Sequence, residues 1–470
     1  MASSWKISSF VIFVVSQLFA NVALAAYAPD EVTNLPGLKT QPSFRHYSGY
    51  LNASGQDRLH YWFVESQNDP ANDPVVLWMN GGPGCSSMDG MLSELGPFHV
   101  NSDGQTLYMN KYSWNKVANV IFLEAPAGVG YSYNPTKEYA TDDDKVSMGN
   151  YLALQSFFKK FPEYASNDFY VTGESYGGIY VPTLTHRILN GNATINMKGF
   201  AVGNGITNFT TNSDSLVYFA YYHGLIGLDL WKSLNKRCCD GTYCVFSQST
   251  DIECQTLVAE ALNVVYDIGL NTYSLYLDCY NGPSSVQSPL LTRYQFDMMH
   301  VLGYLPKTPP KYYRPMSAIL SNNKVGLVPP CINVTGVTAY LNLPGVRKAL
   351  HIADEAPSWE VCSELPYTTV YKTMYSTYKD ILAKYRGMVY NGDTDMACNF
   401  LGDEWFIESL NLKKKSDRTP WMLGDQIAGF VKEFEGLSLV TIKGAGHMVP
   451  QERPAQALKM FTYFLQNKPL

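Results

Sequence analysis

Phe169-Tyr170-Val171-Thr172-Gly173-Glu174-Ser175-Tyr176-Gly177-Gly178 sets an aromatic and β-branched run directly before a G-x-S-x-G sequence. Ile179-Tyr180-Val181-Pro182 follows and opens a helix. The glycines permit a sharp strand-to-helix turn that lifts a serine hydroxyl clear of a sheet. Five residues of this kind recur by chance, so the flanking strand and helix carry the reading.

Working outward, the same theme repeats. Pro74-Val75-Val76-Leu77-Trp78 runs into a Gly-rich loop, and Asn119-Val120-Ile121-Phe122-Leu123 runs into Pro and Gly. Near the C-terminus, Gly387-Met388-Val389-Tyr390 and Ser438-Leu439-Val440-Thr441-Ile442 are two further apolar strands, each with a loop at its end. Apolar strands alternating with helices predict an α/β fold with a mostly parallel central sheet covered by helices. Between Ile206 and Cys331 this signal fades, six of the nine cysteines collect, and Gly282 to Pro330 is rich in Pro, Ser and Lys. A disulfide-rich cap inserted into the α/β core is the simplest account.

A serine needs a base to become a nucleophile. Of eight histidines, His447 stands out. It lies in Gly444-Ala445-Gly446-His447-Met448-Val449-Pro450, directly after the last strand. His351, in a helical stretch, and His46 and His223 fit packed or solvated positions better. The base in turn needs a carboxylate to hold its tautomer. Asn391-Gly392-Asp393-Thr394-Asp395 follows another strand, and either aspartate suits on spacing alone. Ser, then Asp, then His is the chain order of α/β hydrolases. The interval from Asp395 to His447 holds one more helix–strand unit. The interval from Ser175 to Asp395 is more than twice what two or three crossovers of about 30 residues need, which again places an insertion there. Acyl transfer also needs an oxyanion hole. The N–H of Tyr176 is one donor, and Gly82 in Asn80-Gly81-Gly82-Pro83-Gly84-Cys85 is the choice for the other.

Composition bounds the setting. The 470 residues are 46% hydrophobic and 16% charged, with a net charge of −6. This is an ordinary globular balance, unsuited to nucleic acid as the main partner. Lys6, an apolar run from Phe10, and Ala23-Leu24-Ala25 read as a signal peptide spanning 1–25. That run is too short for a membrane span, and no later stretch qualifies. Nine cysteines suit an oxidising compartment, the odd count leaves one over, and no histidines beside them suggest metal. No cofactor is called for. Asn52, Asn192, Asn208 and Asn333 head N-x-S/T sequons, which secretion would make glycan acceptors.

Four ordered runs, from Leu77 to Ser87 (LWMNGGPGCSS), Gly173 to Gly178 (GESYGG), Asn391 to Asn399 (NGDTDMACN) and Gly444 to Pro450 (GAGHMVP), resemble the serine carboxypeptidases and most closely their lysosomal members. The resemblance spans nearly the whole mature chain. It implies Asp395, rather than Asp393, as the triad aspartate. It implies that Asn80, Glu94 and Glu174, supported by Trp78, grip the C-terminal carboxylate of a peptide substrate. It implies the pairs Cys85–Cys362, Cys238–Cys254, Cys239–Cys244 and Cys279–Cys331, with Cys398 a free thiol near the site. The implied division is core 26–205, cap 206–332 with an excised blocking segment near 283–327, and core 333–470. A homodimer, lysosomal glycosidases as protected partners, and delivery to the lysosome or secretion are further implications.

Two neighbouring carboxyls resist joint ionisation, so Glu94 and Glu174 are expected to stay protonated in mild acid and donate to a substrate carboxylate. Peptidase activity favoured in acid follows. Amide or ester substrates without a free carboxylate are expected to suffer less toward neutrality. Lipases, esterases and acyltransferases share Ser175, His447 and Asp395, and a lipase has no need of the carboxylate grip. A scaffold that stabilises other hydrolases is a reading from a different class, compatible with an intact triad.

Overall fold

The computed structural model describes residues 27–280 apart from 242 and 267, residue 282, the two-residue strand Lys324–Val325, and residues 331–470. The expected signal peptide lies outside the described residues. So does the expected blocking segment, that short strand excepted.

Among the described residues, ten strands form the main sheet. They are β1 (His46–Asn52), β2 (Arg58–Val64), β3 (Val75–Met79), β4 (Asn119–Leu123), β5 (Phe169–Ser175), β6 (Met197–Gly205), β7 (Arg386–Gly392), β8 (Thr419–Leu423), β9 (Gln426–Phe434) and β10 (Leu437–Ile442). Their order is β1-β2-β4-β3-β5-β6-β7-β10-β9-β8. The six central strands, β4 to β10 in that order, run parallel. Both margins turn antiparallel, β1 and β2 on one side and β9 and β8 on the other. The protein has the α/β-hydrolase fold.

The apolar runs dictate a sheet covered on both faces. Val75, Leu77, Met79, Ile121 and Leu123 face one buried cluster. The alternate residues Val76, Trp78, Val120 and Phe122 face the other, as a period of two requires. Helices α1 (Asp143–Lys160) and α2 (Gly177–Asn190) cover the first face, with Leu154, Phe157, Ile179 and Leu184 fully buried. Helix α3 (Pro454–Leu465) covers the second, where Phe461 stacks on Trp114 at 3.7 Å between ring centroids.

The chain after Gly205 leaves the sheet and builds a helical layer from Phe209–Tyr222, Leu228–Cys238 and Ile252–Tyr266. This layer has its own apolar cluster around Leu216, Phe219, Leu234, Val258 and Val265. Cys238–Cys254 and Cys239–Cys244 cross-link it, and Cys279–Cys331 closes its far end. Cys85–Cys362 lies outside this layer, and Cys398 is free and buried. Asn52, Asn192 and Asn333 are exposed. Asn208 is only partly so. Its Oδ1 accepts from the Thr211 N–H as a helix cap, and its Nδ2 donates to Thr373 Oγ1 at 3.1 Å.

Phe157 is the centre of an aromatic group on the first face, with Phe161 at 4.9 Å, Phe63 at 5.0 Å and Tyr61 at 6.1 Å. Phe157→Ala should cost about 3–5 kcal/mol of stability by denaturant unfolding, since the rigid neighbours leave a cavity. Activity per folded molecule should be unchanged, because the site lies at the strand ends.

Candidate functional site

Four loops meet at the C-terminal ends of β3, β5, β7 and β10, where α/β sheets present their ligand sites. Ser175 ends β5 with φ +60°, in the left-handed region that a non-glycine residue adopts only when its surroundings fix it. The Ser175 carbonyl accepts from the Ile206 N–H at 2.9 Å, which anchors the turn to the end of β6. A Cβ on Gly178 would lie 2.5 Å from the Ile206 nitrogen, so only glycine lets helix and strand approach this closely.

The Asn80–Cys85 loop passes directly over the serine turn. A Cβ on Gly81 would sit 2.3 Å from the Tyr176 nitrogen. Gly82 has φ +108°, beyond the range of ordinary side chains. Tyr176 is tied from its other end, its hydroxyl donating to Asp143 Oδ1 at 2.8 Å. Tyr367 OH and the N–H groups of Val370 and Tyr371 share that buried carboxylate.

His447 and Asp395 meet as a pair. His447 Nδ1 donates to Asp395 Oδ2 at 2.7 Å, and both residues are buried. Asp395 also accepts from Ala397 N, Cys398 N and Asn204 Nδ2 at 2.9, 3.1 and 2.9 Å. Among the described residues, His447 Nε2 has no hydrogen-bond partner. Asp393 points elsewhere, accepting from the Gly444 N–H at 2.6 Å. Among the two aspartates left open by spacing, Asp395 is therefore the one in contact with His447.

A second group forms beside Ser175. Asn80 Nδ2 donates to Glu94 Oε1 and Glu174 Oε1, each at 2.9 Å. Trp78 Nε1 donates to Asn80 Oδ1 at 2.8 Å and fixes the amide's orientation. Asp89, which sequence reasoning missed, brings a third buried carboxyl. Burial pushes the Glu94 carboxyl up to about 8, and the charge of Asp89 adds to the effect. Burial and then the neighbouring Glu94 push Glu174 well above the usual carboxylate range. The Cys398 thiol is likewise raised by burial and by Asp395, so it is no ready thiolate.

Sequence reasoning also missed Asn204 and Tyr273. The apolar run Phe200-Ala201-Val202 before Gly203-Asn204-Gly205 was not among the strands read from the sequence, and it is the signal that could have found the first. Nothing in the cysteine-rich insertion marks Tyr273, whose ring stacks on His447 at 4.2 Å. Among the described residues, none cluster as metal ligands, and no helix is long and apolar enough to cross a membrane.

A serine on a strained strand-to-helix turn, with a buried His–Asp pair at neighbouring strand ends, defines a hydrolase of the α/β class. The chain belongs to the serine carboxypeptidase family, whose model matches residues 36–467. It is a serine-type carboxypeptidase. It is 49% identical to the lysosomal protective protein of Mus musculus, over 95% of each chain. It is 41% identical to serine carboxypeptidase ctsa-4.1 of Caenorhabditis elegans, over 98% of each. The crystal structure of a prohormone-processing carboxypeptidase from Saccharomyces cerevisiae shares the fold, with a TM-score of 0.71, 22% identity, and 94% and 96% of the two chains covered.

The Glu94–Glu174 group carries a stability signature. A carboxyl whose folded value is raised binds its proton more tightly in the native state than in the unfolded chain. Its stabilising contribution is full below about 4.5, the ordinary glutamate value, and is lost as pH rises through about 8. Melting temperature should therefore fall between pH 5 and 8, and the fall should be shallower in a Glu94→Gln/Glu174→Gln double variant.

Proposed function

We propose that the protein removes C-terminal residues from peptides in acid through an acyl-enzyme on Ser175. The observation that carries this reading is the Asn80–Glu94–Glu174 group abutting the serine turn, since only a substrate with a free terminal carboxylate gives it a purpose. Ser175 Oγ attacks the scissile carbonyl carbon while His447 Nε2 takes its proton. Asp395 holds the imidazole through Nδ1 and stabilises the imidazolium. The tetrahedral oxyanion is received by the N–H groups of Tyr176 and Gly82. The C–N bond then breaks, His447 protonates the departing amine, and the free amino acid leaves. Water repeats the sequence against the ester and frees Ser175.

The protonated carboxyl of Glu94 or Glu174 donates to the substrate carboxylate. Deprotonation turns that grip into repulsion, so KM for peptides rises as pH climbs toward about 8. Amides and esters lacking the carboxylate are spared, which leaves room for deamidase or esterase activity nearer neutrality. The mouse relative's name, lysosomal protective protein, supports a lysosomal destination and a protective role, and glycosidases as the protected partners come from the family resemblance alone. A homodimer is part of the same reading. Co-purification of Ser175→Ala with glycosidases, and sedimentation of the parent, test those two points.

Hydrolysis of an N-blocked apolar dipeptide tests the chemistry. Ser175→Ala and Asp395→Asn should each lose at least about 10³-fold in kcat, and Asp393→Asn should stay within about tenfold. Glu174→Gln should flatten the rise of peptide KM with pH while leaving ester hydrolysis unaltered. A Glu174→Gln variant with the parent's pH dependence for peptides would remove the carboxylate grip from the reading.

A further inference from the structure

The loop bearing His447 is held by a segment of the insertion. The His447 N–H donates to the Tyr273 carbonyl at 2.7 Å. The Met396 N–H donates to the Thr272 carbonyl and the Leu275 N–H to the Thr394 carbonyl, each at 3.0 Å. Residues 271–275 thus bond to the Asp395 loop on one side and the His447 loop on the other. Glu452 closes the arrangement, with Oε2 accepting from the Gly446 N–H at 3.0 Å and from Ser274 Oγ at 2.9 Å. Gly446 has no room for a side chain. A Cβ there would lie 2.2 Å from the Tyr273 carbonyl oxygen and 2.6 Å from both Glu452 Oε1 and Ser274 Cβ. Within this packing the Tyr273 ring lies nearly parallel to the imidazole, 14° between planes and 4.2 Å between centroids.

We propose that Tyr273, fixed through Ser274 and Glu452, is a positioning residue that holds the His447 ring and stabilises it once it becomes charged. The inference rests on His447 acting as the base. Imidazole is neutral before attack and cationic in the transition state. A ring face in van der Waals contact with it favours the cation through its quadrupole. The contribution therefore grows along the reaction coordinate and appears in kcat rather than in ground-state binding. It differs from that of Asp395, which fixes the tautomer from the edge of the ring. Tyr273 fixes the plane from its face. Charged groups around the loop are Asp395 at Nδ1, Glu452 behind Gly446, and Asp393 and Arg453 beside Gly444. The Tyr273 substitutions leave all of them in place.

The test compares Tyr273→Leu and Tyr273→Phe in the full chain, using peptide and ester substrates across the acid limb of kcat/KM. Tyr273→Leu should lose about tenfold in kcat with KM within twofold, and its acid limb should move about half a unit or more to lower pH. Tyr273→Phe keeps the ring face and should restore kcat to within about twofold. An unchanged kcat, a change confined to KM, or a loss that phenylalanine leaves unrescued would overturn the proposal. Should Tyr273→Leu not fold, Glu452→Ala carries the test. A severalfold drop in kcat for both substrates, with KM unchanged, supports the clamp, and an unchanged kcat overturns it. His447→Ala separates the two levels of argument, since retained activity there removes the base assignment itself.

Discussion

A carboxylate without solvent must be given hydrogen bonds, and the way Asp395 receives them organises this half of the molecule. Asp395 has no exposed surface, and four donors converge on it from three places. Two are N–H groups of its own loop, one is the amide of Asn204 at the end of β6, and one is the His447 ring beyond β10. An unpaired charge at such depth costs far more than any single contact here returns. The ends of β6, β7 and β10 must therefore keep their register. Asn204 secures it further by accepting from the Gly392 N–H at 2.9 Å, in a left-handed backbone with φ +37°.

The two acidic groups at this edge are built by opposite rules. Asp395 is supplied with donors. Glu94 and Glu174 are supplied with each other, with Asp89 nearby and with one shared amide, Asn80. The neutral form is favoured in the second group because burial removes water from the carboxyls and each opposes its neighbour's charge, against which the Asn80 amide is only a partial offset. Pairs of carboxyls driven to different roles by their surroundings are a recurrent way to run acid and base chemistry in one cleft. Trp78 sets the polarity of the arrangement. With its indole N–H on Asn80 Oδ1, the amide must turn its donors toward the glutamates.

The sequence was most legible where one physical signal acted alone. The five apolar strands read from it are all present, because a strand buried on both faces needs little besides hydrophobicity. The loops at their ends carry the glycines that close approach demands, and Ser175, Asp395 and His447 stood at those ends. The margins were not legible. β1 reads His46-Tyr47-Ser48-Gly49-Tyr50, with no alternation to find, because Ser48 is buried and donates to the Leu350 carbonyl from a distant part of the chain. His60 of β2 is likewise buried and bonded to Glu124 at 2.9 Å. Polar residues satisfied by tertiary partners erase the pattern on which strand recognition depends. Asp89 escaped notice because its significance is also tertiary, arising only where the fold sets it beside Glu94 and Glu174.

Topology explains why the insertion touches the chemistry at all. It departs after β6 and returns before β7, two strands adjacent and parallel in the sheet. A parallel pair requires the chain to leave at the C-terminal edge and cross back to the opposite end. Whatever is inserted at the exit begins beside the serine turn, since Gly205 is the register partner of Ser175. The insertion's first helix, Phe209–Tyr222, leans on helix Phe400–Ser409, which follows the Asp395 loop. Its later segment, 271–275, reaches the His447 loop, and Cys279–Cys331 ties that segment to the returning chain. Inserted at this exit, the segment is bonded to two of the loops from which the site is built.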